Sequence, residues 1–201
     1  FLTYGGQFES QANASRLIAI LSLFSLLGMF VVLQAHFRSA MFAAQIMLNI
    51  PLAFIGAVAG VLLMGGVFSI ATLIGFVTLT GIAARNGIMM ISHYLHLMEF
   101  EGEQFGAPMI IRGTQERLVP VLMTALTAGL ALVPLVLGAG QPGREILHPV
   151  AVVIFSGLFS STLLDLIVTP LVFAKFGRRS AEKYLRAEEE DPLAAPIGAI
   201  R

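Results

Sequence analysis

Long apolar runs separated by short polar segments dominate the chain. A membrane-spanning helix needs about 20 consecutive, mainly apolar residues to cross the hydrocarbon core of a bilayer. Runs of that length predict five spans, at residues 17–35, 40–63, 68–97, 118–138 and 147–175. We therefore expect an all-α fold, a polytopic bundle of five transmembrane helices.

The boundary between the second and third spans depends on two glycines. Residues 39–84 contain no formally charged side chain, and this run is too long for a single helix. Gly65 and Gly66 fall near its middle and predict a break there. The third helix then continues through Arg85 to about Leu97.

The polar segments around the spans complete the predicted organisation. Residues 1–15 are expected to be the end of a preceding domain, because they are polar and lead directly into the first span. Residues 98–117 are predicted to form a charged loop, and residues 177–201 a tail that is disordered. A start without an initiator Met or a basic leader is what we expect of a fragment.

Basic residues predict the orientation of the bundle, since Lys and Arg are enriched on the cytoplasmic side of membrane proteins. In the five-span topology, one side carries Arg38, Arg112, Arg117, Lys175, Arg178, Arg179, Lys183, Arg186 and Arg201. The other side carries Arg16 and Arg144. We therefore expect the 98–117 loop and the C-terminus in the cytoplasm, and the N-terminus in the periplasm.

Composition narrows the function classes. The chain is 57% hydrophobic and 12% charged with no net charge, which favours a lipid bilayer as its surroundings and gives no indication of nucleic acid. It has no Cys, which excludes thiolate metal sites and disulfides. No phosphate loop, nucleophile elbow or zinc motif occurs, so we predict neither an enzyme nor a bound cofactor or metal.

Arg85, in the segment GIAARNG, is predicted to lie deep in the third span. It precedes the expected end of that helix by about 12 residues, or roughly 18 Å at 1.5 Å per residue. A charge at such depth costs at least about 2.5–3.5 kcal/mol on insertion scales and usually faces a carboxylate or a wet cavity. A functional charge is therefore favoured over a structural ion pair or a side chain that reaches the interface.

Asp165 is the one carboxylate inside a predicted span, ten residues before Lys175. Two interpretations stay open. It is either a titrating group, or a neutral, hydrogen-bonded packing residue near Ser161 and Thr162. A pairing with Arg85 is a further possibility that one sequence does not decide.

Arg117 and Thr124 lie seven residues apart, on one face of the fourth span. Position alone indicates an interfacial role for Arg117. A threonine hydroxyl within a helix often bonds a carbonyl of its own preceding turn, so Thr124 alone has no clear function.

Two further patterns are weak. His93 and His96 have a spacing that can suit a metal, but no third ligand is nearby, so an interfacial role is favoured. Gly56 and Gly60 form a GxxxG pattern, which lets another helix approach closely and is common in membrane helices.

Several segments together resemble the C-terminal membrane region of resistance-nodulation-division (RND) permeases. In chain order they are YGGQFESQ, LNIPLAFIG, GFVTLTGIAARNGIMMISHY, RLVPVLMTALTAGLALVPL and GLFSSTLLDLIVTPLVF. Their order and spacing match that family over residues 1–177. YGGQFESQ and the arginine of GIAARNG resemble the heavy-metal (cobalt-zinc-cadmium) branch more than the multidrug branch, which usually has Lys at that place.

The resemblance implies the last five of twelve transmembrane helices of a trimeric proton antiporter in the bacterial inner membrane. Such permeases work with a periplasmic adaptor and an outer-membrane channel. Arg85 falls on the basic position of the family's proton relay, and Arg117 and Thr124 fall on the residues that support it. The relay's acidic partners would belong to another part of the permease. Asp165 departs from the family, and we expect it to be a second titratable site or a partner of Arg85.

The expected function is therefore the membrane part of a proton-driven permease that exports heavy-metal cations. A multidrug RND permease is the first alternative. A truncated, non-transporting membrane subunit is the second, and it would keep the same five spans.

Overall fold

Five helices account for most of the chain. The computed structural model describes residues 6–66 and 68–190, with side chains described between residues 12 and 186. Within these ranges the helices are α1 (Gly6–Phe37), α2 (Ala40–Leu63), α3 (Ile70–Glu99), α4 (Ala107–Val136) and α5 (Leu147–Glu190). All five are long and apolar enough to cross a membrane. The predicted all-α bundle of five apolar helices is confirmed.

The connection between α2 and α3 contains the predicted glycine break. Gly65 and Gly66 have φ angles of 99° and 73°, in the left-handed region that glycine adopts without steric penalty. α3 then begins after Ser69, whose hydroxyl accepts a hydrogen bond of 3.2 Å from the backbone N–H of Thr72. The pair forms a capping box that fixes where α3 starts.

The predicted loop at residues 98–117 is shorter than expected, and in this respect the prediction was wrong. α4 begins at Ala107, so residues 107–117 are helical. Pro108 lies in the first turn, where the missing N–H of proline does no harm. Hydropathy does not indicate these three turns of helix, because they include the charged residues Arg112, Glu116 and Arg117.

The C-terminal helix extends beyond the apolar span. Residues 177–190, which we predicted to be disordered, continue α5 to Glu190. Ala181 is fully buried, and Arg178 bonds Glu182 at 3.0 Å across one helical turn. Tyr184 and Leu185 pack against the hydrophobic cluster of the other helices. Packing therefore keeps this polar segment helical, while residues 191–201 lie outside the described residues.

At the other end of the chain, helix also begins earlier than the predicted span. Residues 6–15 are the first part of α1 rather than a separate segment, and residues 1–5 lie outside the described residues.

α5 is the central helix of the bundle and packs against α2, α3 and α4. Its closest neighbour is α2, which it meets along a line of small residues. A Cβ added at Gly56 would lie 2.4 Å from the carbonyl oxygen of Ser156, and one added at Gly60 would lie 2.2 Å from the hydroxyl of Ser156. The GxxxG pattern therefore has the packing role that such patterns serve in membranes.

α1 contributes little to the core. It packs on α2 and α3, but most of its large apolar side chains are exposed, among them Leu21, Phe24 and Val32. Such a surface suits lipid or another apolar helix.

We predict that Gly56→Ala destabilises the bundle by about 1–3 kcal/mol, because overpacking a close helix contact forces the helices apart. Thermal unfolding of the purified protein in detergent, followed by circular dichroism, measures this effect.

Gly28→Ala is the matched control, since a Cβ at Gly28 meets nothing within 4 Å. Alanine has a higher helix propensity than glycine by about 1 kcal/mol, so this variant should be as stable as the parent or slightly more stable. Equal unfolding temperatures for the two variants would contradict a tight α2–α5 contact.

Candidate functional site

Arg85 lies near the middle of α3, about 20 Å from either end of the helix. Its neighbours Ala83, Ala84 and Gly87 are buried in the bundle, while Arg85 itself is exposed on the opposite side of the helix. Among the described residues, Arg85 takes part in no ion pair. The bundle therefore presents an unpaired guanidinium at the depth of the hydrocarbon core.

Asp165, on α5, lies on a different surface of the bundle. Its side chain is 1% exposed and faces α2. The amide nitrogen of Asn49 donates a hydrogen bond of 2.7 Å to Asp165 Oδ1. The hydroxyl of Thr169 bonds the same oxygen and lies 3.2 Å from Asn49 Oδ1. The three side chains form a compact polar cluster between α2 and α5.

The structure does not bring Arg85 and Asp165 together. Asp165 is bonded by Asn49 and Thr169, whereas Arg85 faces outward from α3. The sequence gives no signal for the role of Asn49, because its partner Asp165 lies 116 positions further along the chain.

One oxygen of the Asp165 carboxyl group has no partner. Oδ2 is buried without a hydrogen bond, and the nearby hydroxyls of Ser161 and Thr162 are buried without one too. Hydrogen bonding of Asp165 to Ser161 and Thr162 is therefore absent from the described contacts. A buried polar atom of this kind calls for a proton, a water molecule or an ion.

Arg117 and Thr124 both lie on α4 but differ in their surroundings. Arg117 is half-buried, and its Nη2 lies 3.4 Å from Nδ1 of His93 on α3. Thr124 is exposed, and its hydroxyl donates a hydrogen bond of 2.9 Å to the carbonyl of Val121 in its own helix. No hydrogen bond in the described part of the chain joins either residue to Arg85.

The end of α3 and the start of α4 are held close together by packing. A Cβ at Gly113 would lie 2.8 Å from the ring of Tyr94, so glycine is required for this approach. The Tyr94 hydroxyl also lies 2.7 Å from the hydroxyl of Thr114. This contact positions the next turn of α4, which carries Glu116 and Arg117, beside His93.

A charged network occupies this junction. His93 Nε2 lies 2.8 Å from Glu116 Oε2, and Arg112 Nε donates a hydrogen bond of 2.9 Å to Glu116 Oε1. Arg112 also bonds Glu101 at 2.5 Å and Glu103 in the α3–α4 connection. Of these contacts only the Arg112–Glu116 pair, at i,i+4, has a sequence signal.

His93 and His96 contact each other at the end of α3. The rings of His93 and His96 stack with their centroids 6.5 Å apart, and His93 is engaged with Glu116. In the described ranges, no three His, Cys, Asp or Glu side chains come together in a way that could hold a metal ion.

Comparison with known proteins assigns the chain to a family. The model of the AcrB/AcrD/AcrF family matches residues 1–177. The chain is 34% identical over 182 residues to the cobalt-zinc-cadmium resistance protein CzcA of Cupriavidus metallidurans. The aligned region covers 90% of this chain and 17% of CzcA. The chain is also 34% identical over 193 residues to protein HelA of Legionella pneumophila, covering 96% of this chain and 18% of HelA.

A solved structure agrees with these relatives. One crystal form of a heavy metal efflux pump superposes with a TM-score of 0.74 and 33% identity, covering 86% of this chain and 16% of the pump. The chain thus spans less than a fifth of the length of these relatives. Its matched residues, its five apolar helices and these likenesses show that the chain belongs to the AcrB/AcrD/AcrF family of RND efflux permeases.

Proposed function

We propose that this chain is the C-terminal membrane part of a proton-driven RND permease that exports heavy-metal cations, and that it supplies the basic side of the proton relay. The observation that carries the proposal is Arg85, a charged side chain exposed in mid-helix with no ion pair among the described residues. A guanidinium in that position cannot remain in contact with lipid at low energy. A carboxylate from another helix is therefore expected to cover it.

The chemistry of arginine limits what Arg85 does in such a relay. A guanidinium does not release its proton at any accessible pH, so Arg85 is not a proton carrier. It is a fixed counter-charge that keeps facing carboxylates ionised until a proton arrives. Protonation then weakens the ion pair and favours a second packing of the helices.

Arg117 and Thr124 support this exchange in the proposal. Both lie on α4, which packs against α3, the helix of Arg85. Thr124 is exposed and makes its hydrogen bond within its own helix, so its hydroxyl can turn toward a rearranged partner. The positions of both residues match the supporting Arg and Thr of the family that the sequence resembles.

The other parts of the proposed transporter are expected to lie outside this chain. The acidic relay residues are proposed to come from the rest of the same permease, which forms a homotrimer in the bacterial inner membrane. A periplasmic adaptor and an outer-membrane channel complete the path. The N-terminus of this segment is then periplasmic and its C-terminus cytoplasmic. Heavy-metal cations are the proposed substrate because CzcA and the solved pump are named for them.

Replacement of Arg85 by methionine should reduce proton-coupled transport on the order of 100-fold, because it leaves buried carboxylates without their counter-charge. Proton flux and metal uptake in proteoliposomes that contain the full-length permease measure the effect. Arg85→Lys, which keeps a charge, should retain part of the activity.

Arg178→Met is the matched control, since Arg178 is 72% exposed and makes only a surface ion pair with Glu182. It should transport normally. Full proton coupling in the Arg85→Met permease would exclude Arg85 from the relay.

Growth assays separate the metal and multidrug alternatives. The full-length permease should restore growth of an efflux-deficient host on Co²⁺, Zn²⁺ or Cd²⁺, and the Arg85→Met variant should not. Restoration on organic drugs alone would favour the multidrug alternative.

Asp165 is proposed to be a second protonatable site, separate from Arg85. Its buried Oδ2 atom has no partner and can hold a proton without breaking the bonds of Oδ1 to Asn49 and Thr169. A neutral carboxyl group is also cheaper to bury than an ion.

Asp165→Asn should change the pH dependence of efflux, because the amide keeps the shape and the Oδ1 acceptor but does not titrate. Efflux rates measured between pH 5 and pH 8 test this. Ser161→Ala, at the neighbouring buried and unbonded hydroxyl, should leave the pH profile unchanged. An Asp165→Asn profile identical to that of the parent, at normal expression, would assign Asp165 to packing alone.

A further inference from the structure

We propose that His93 transfers protons between the α3 face of Arg85 and Glu116, and that each protonation of its ring releases Arg117. The inference rests on the proposed proton relay and adds to it a proton-transferring residue and the group that receives the proton. It is carried by the hydrogen bonds on both ring nitrogens of His93.

His93 lies along the helix from Arg85 toward the end of α3. Arg85, Met89 and His93 follow each other at i,i+4 spacing, so they occupy adjacent positions on one side of the helix. The distance between Arg85 and His93 along the helix axis is about 12 Å. Protons released near Arg85 need a route of this length to reach the aqueous phase on the proposed cytoplasmic side.

The two contacts of the ring define its resting state. A guanidinium has only donors, so Nδ1 of His93, 3.4 Å from Arg117 Nη2, must present its lone pair. Nε2 then carries the proton and donates it to Glu116 Oε2 at 2.8 Å. The neutral ring is thus held between a cation on one side and a carboxylate on the other.

Proton transfer through this ring follows from that arrangement. A proton arriving through water at Nδ1 forms a new N–H bond, and the hydrogen bond from Arg117 breaks because two donors and two positive charges then face each other. The imidazolium next gives its Nε2 proton to Glu116 Oε2, where an O–H bond forms. Glu116 releases that proton to water. The ring then rotates about its Cβ–Cγ bond, loses its Nδ1 proton and regains one at Nε2 on that same side, and turns back, so one proton has crossed the ring.

The surroundings favour release at Glu116. The side chain of His93 is 12% exposed, whereas that of Glu116 is 39% exposed and reaches solvent. Arg112 bonds the other oxygen of Glu116, which stabilises its ionised form. In the described contacts, the charged and titratable groups that face His93 are Glu116 and Arg117 from α4, with Arg112 behind them, and His96 from α3.

Arg117 couples this step to the helix packing. In the resting state its guanidinium is bonded to His93, and a protonated ring frees it to move. Thr124 lies two turns further along α4. Proton occupancy of His93 therefore changes the partner of the same arginine that is proposed to support the relay.

The test uses the full-length permease in proteoliposomes, with proton flux and Co²⁺ transport measured between pH 5 and pH 8, the range in which imidazole changes charge. His93→Gln keeps a hydrogen-bond donor and an acceptor but does not accept a proton. We expect it to slow proton-coupled transport at least about tenfold and to flatten the pH profile. Glu116→Gln, which removes the receiving carboxylate, should have the same two effects.

His96→Gln is the matched control, because His96 lies on the same helix and is exposed. It should keep both the rate and the pH profile of the parent. Transport by His93→Gln that matches this control overturns the inference. A slower rate with an unchanged pH profile also overturns it, because that result is expected if His93 only holds α3 and α4 together.

The remaining outcomes are also decisive. If His93→Gln does not accumulate, Glu116→Gln gives the result alone, because the same loss of pH dependence supports the inference and an unchanged profile overturns it. Loss of coupling in Arg85→Met together with normal His93→Gln behaviour overturns this inference and leaves the proposed relay in place. Normal coupling in Arg85→Met overturns the relay itself.

Discussion

The close approach of α2 to α5 is the contact on which the arrangement of the bundle depends. Inside a bilayer, helices gain no hydrophobic energy from contact with each other, so dispersion and hydrogen bonds must hold them together. Gly56 and Gly60 leave no side chain between α2 and the Ser156 turn of α5. One turn further along, the Ser160 hydroxyl donates a hydrogen bond of 3.0 Å to the Leu52 carbonyl. The same close spacing lets Asn49 reach Asp165.

The α2–α5 contact explains why Asp165 and Arg85, the two charged residues within the spans, have opposite environments. Asp165 lies in the tightest interface, where Asn49 and Thr169 satisfy one of its oxygens. Arg85 lies on the far side of α3, because the near side is occupied by Gly87 packed on Asn49. The bundle thus buries Asp165 between its own helices and leaves Arg85 exposed on its surface.

The sequence predicted the number of helices and their apolar parts, because the hydrocarbon thickness sets the length of an apolar run. It predicted the break at Gly65 and Gly66 because the uncharged run is too long for one helix, and the structure has a turn with positive φ at these two residues. It did not predict the helical residues 107–117 and 177–190, since tertiary packing rather than hydropathy makes them helical. The links from Asp165 to Asn49 and from His93 to Glu116 join residues far apart in the chain, and one sequence carries no record of such pairs.

The continuity of α5 has a mechanical consequence. Its 44 residues make a helix about 66 Å long, roughly twice the thickness of the hydrocarbon core. Its apolar part touches α2, α3 and α4, and its extension reaches the hydrophobic cluster beside the α3–α4 connection through Tyr184 and Leu185. A tilt of about 5° around Asp165 would displace Tyr184, about 29 Å further along the helix, by roughly 2.5 Å. A small rotation at the Asn49–Asp165 contact would therefore shift the side chains of α5 that pack beside the charged junction of α3 and α4.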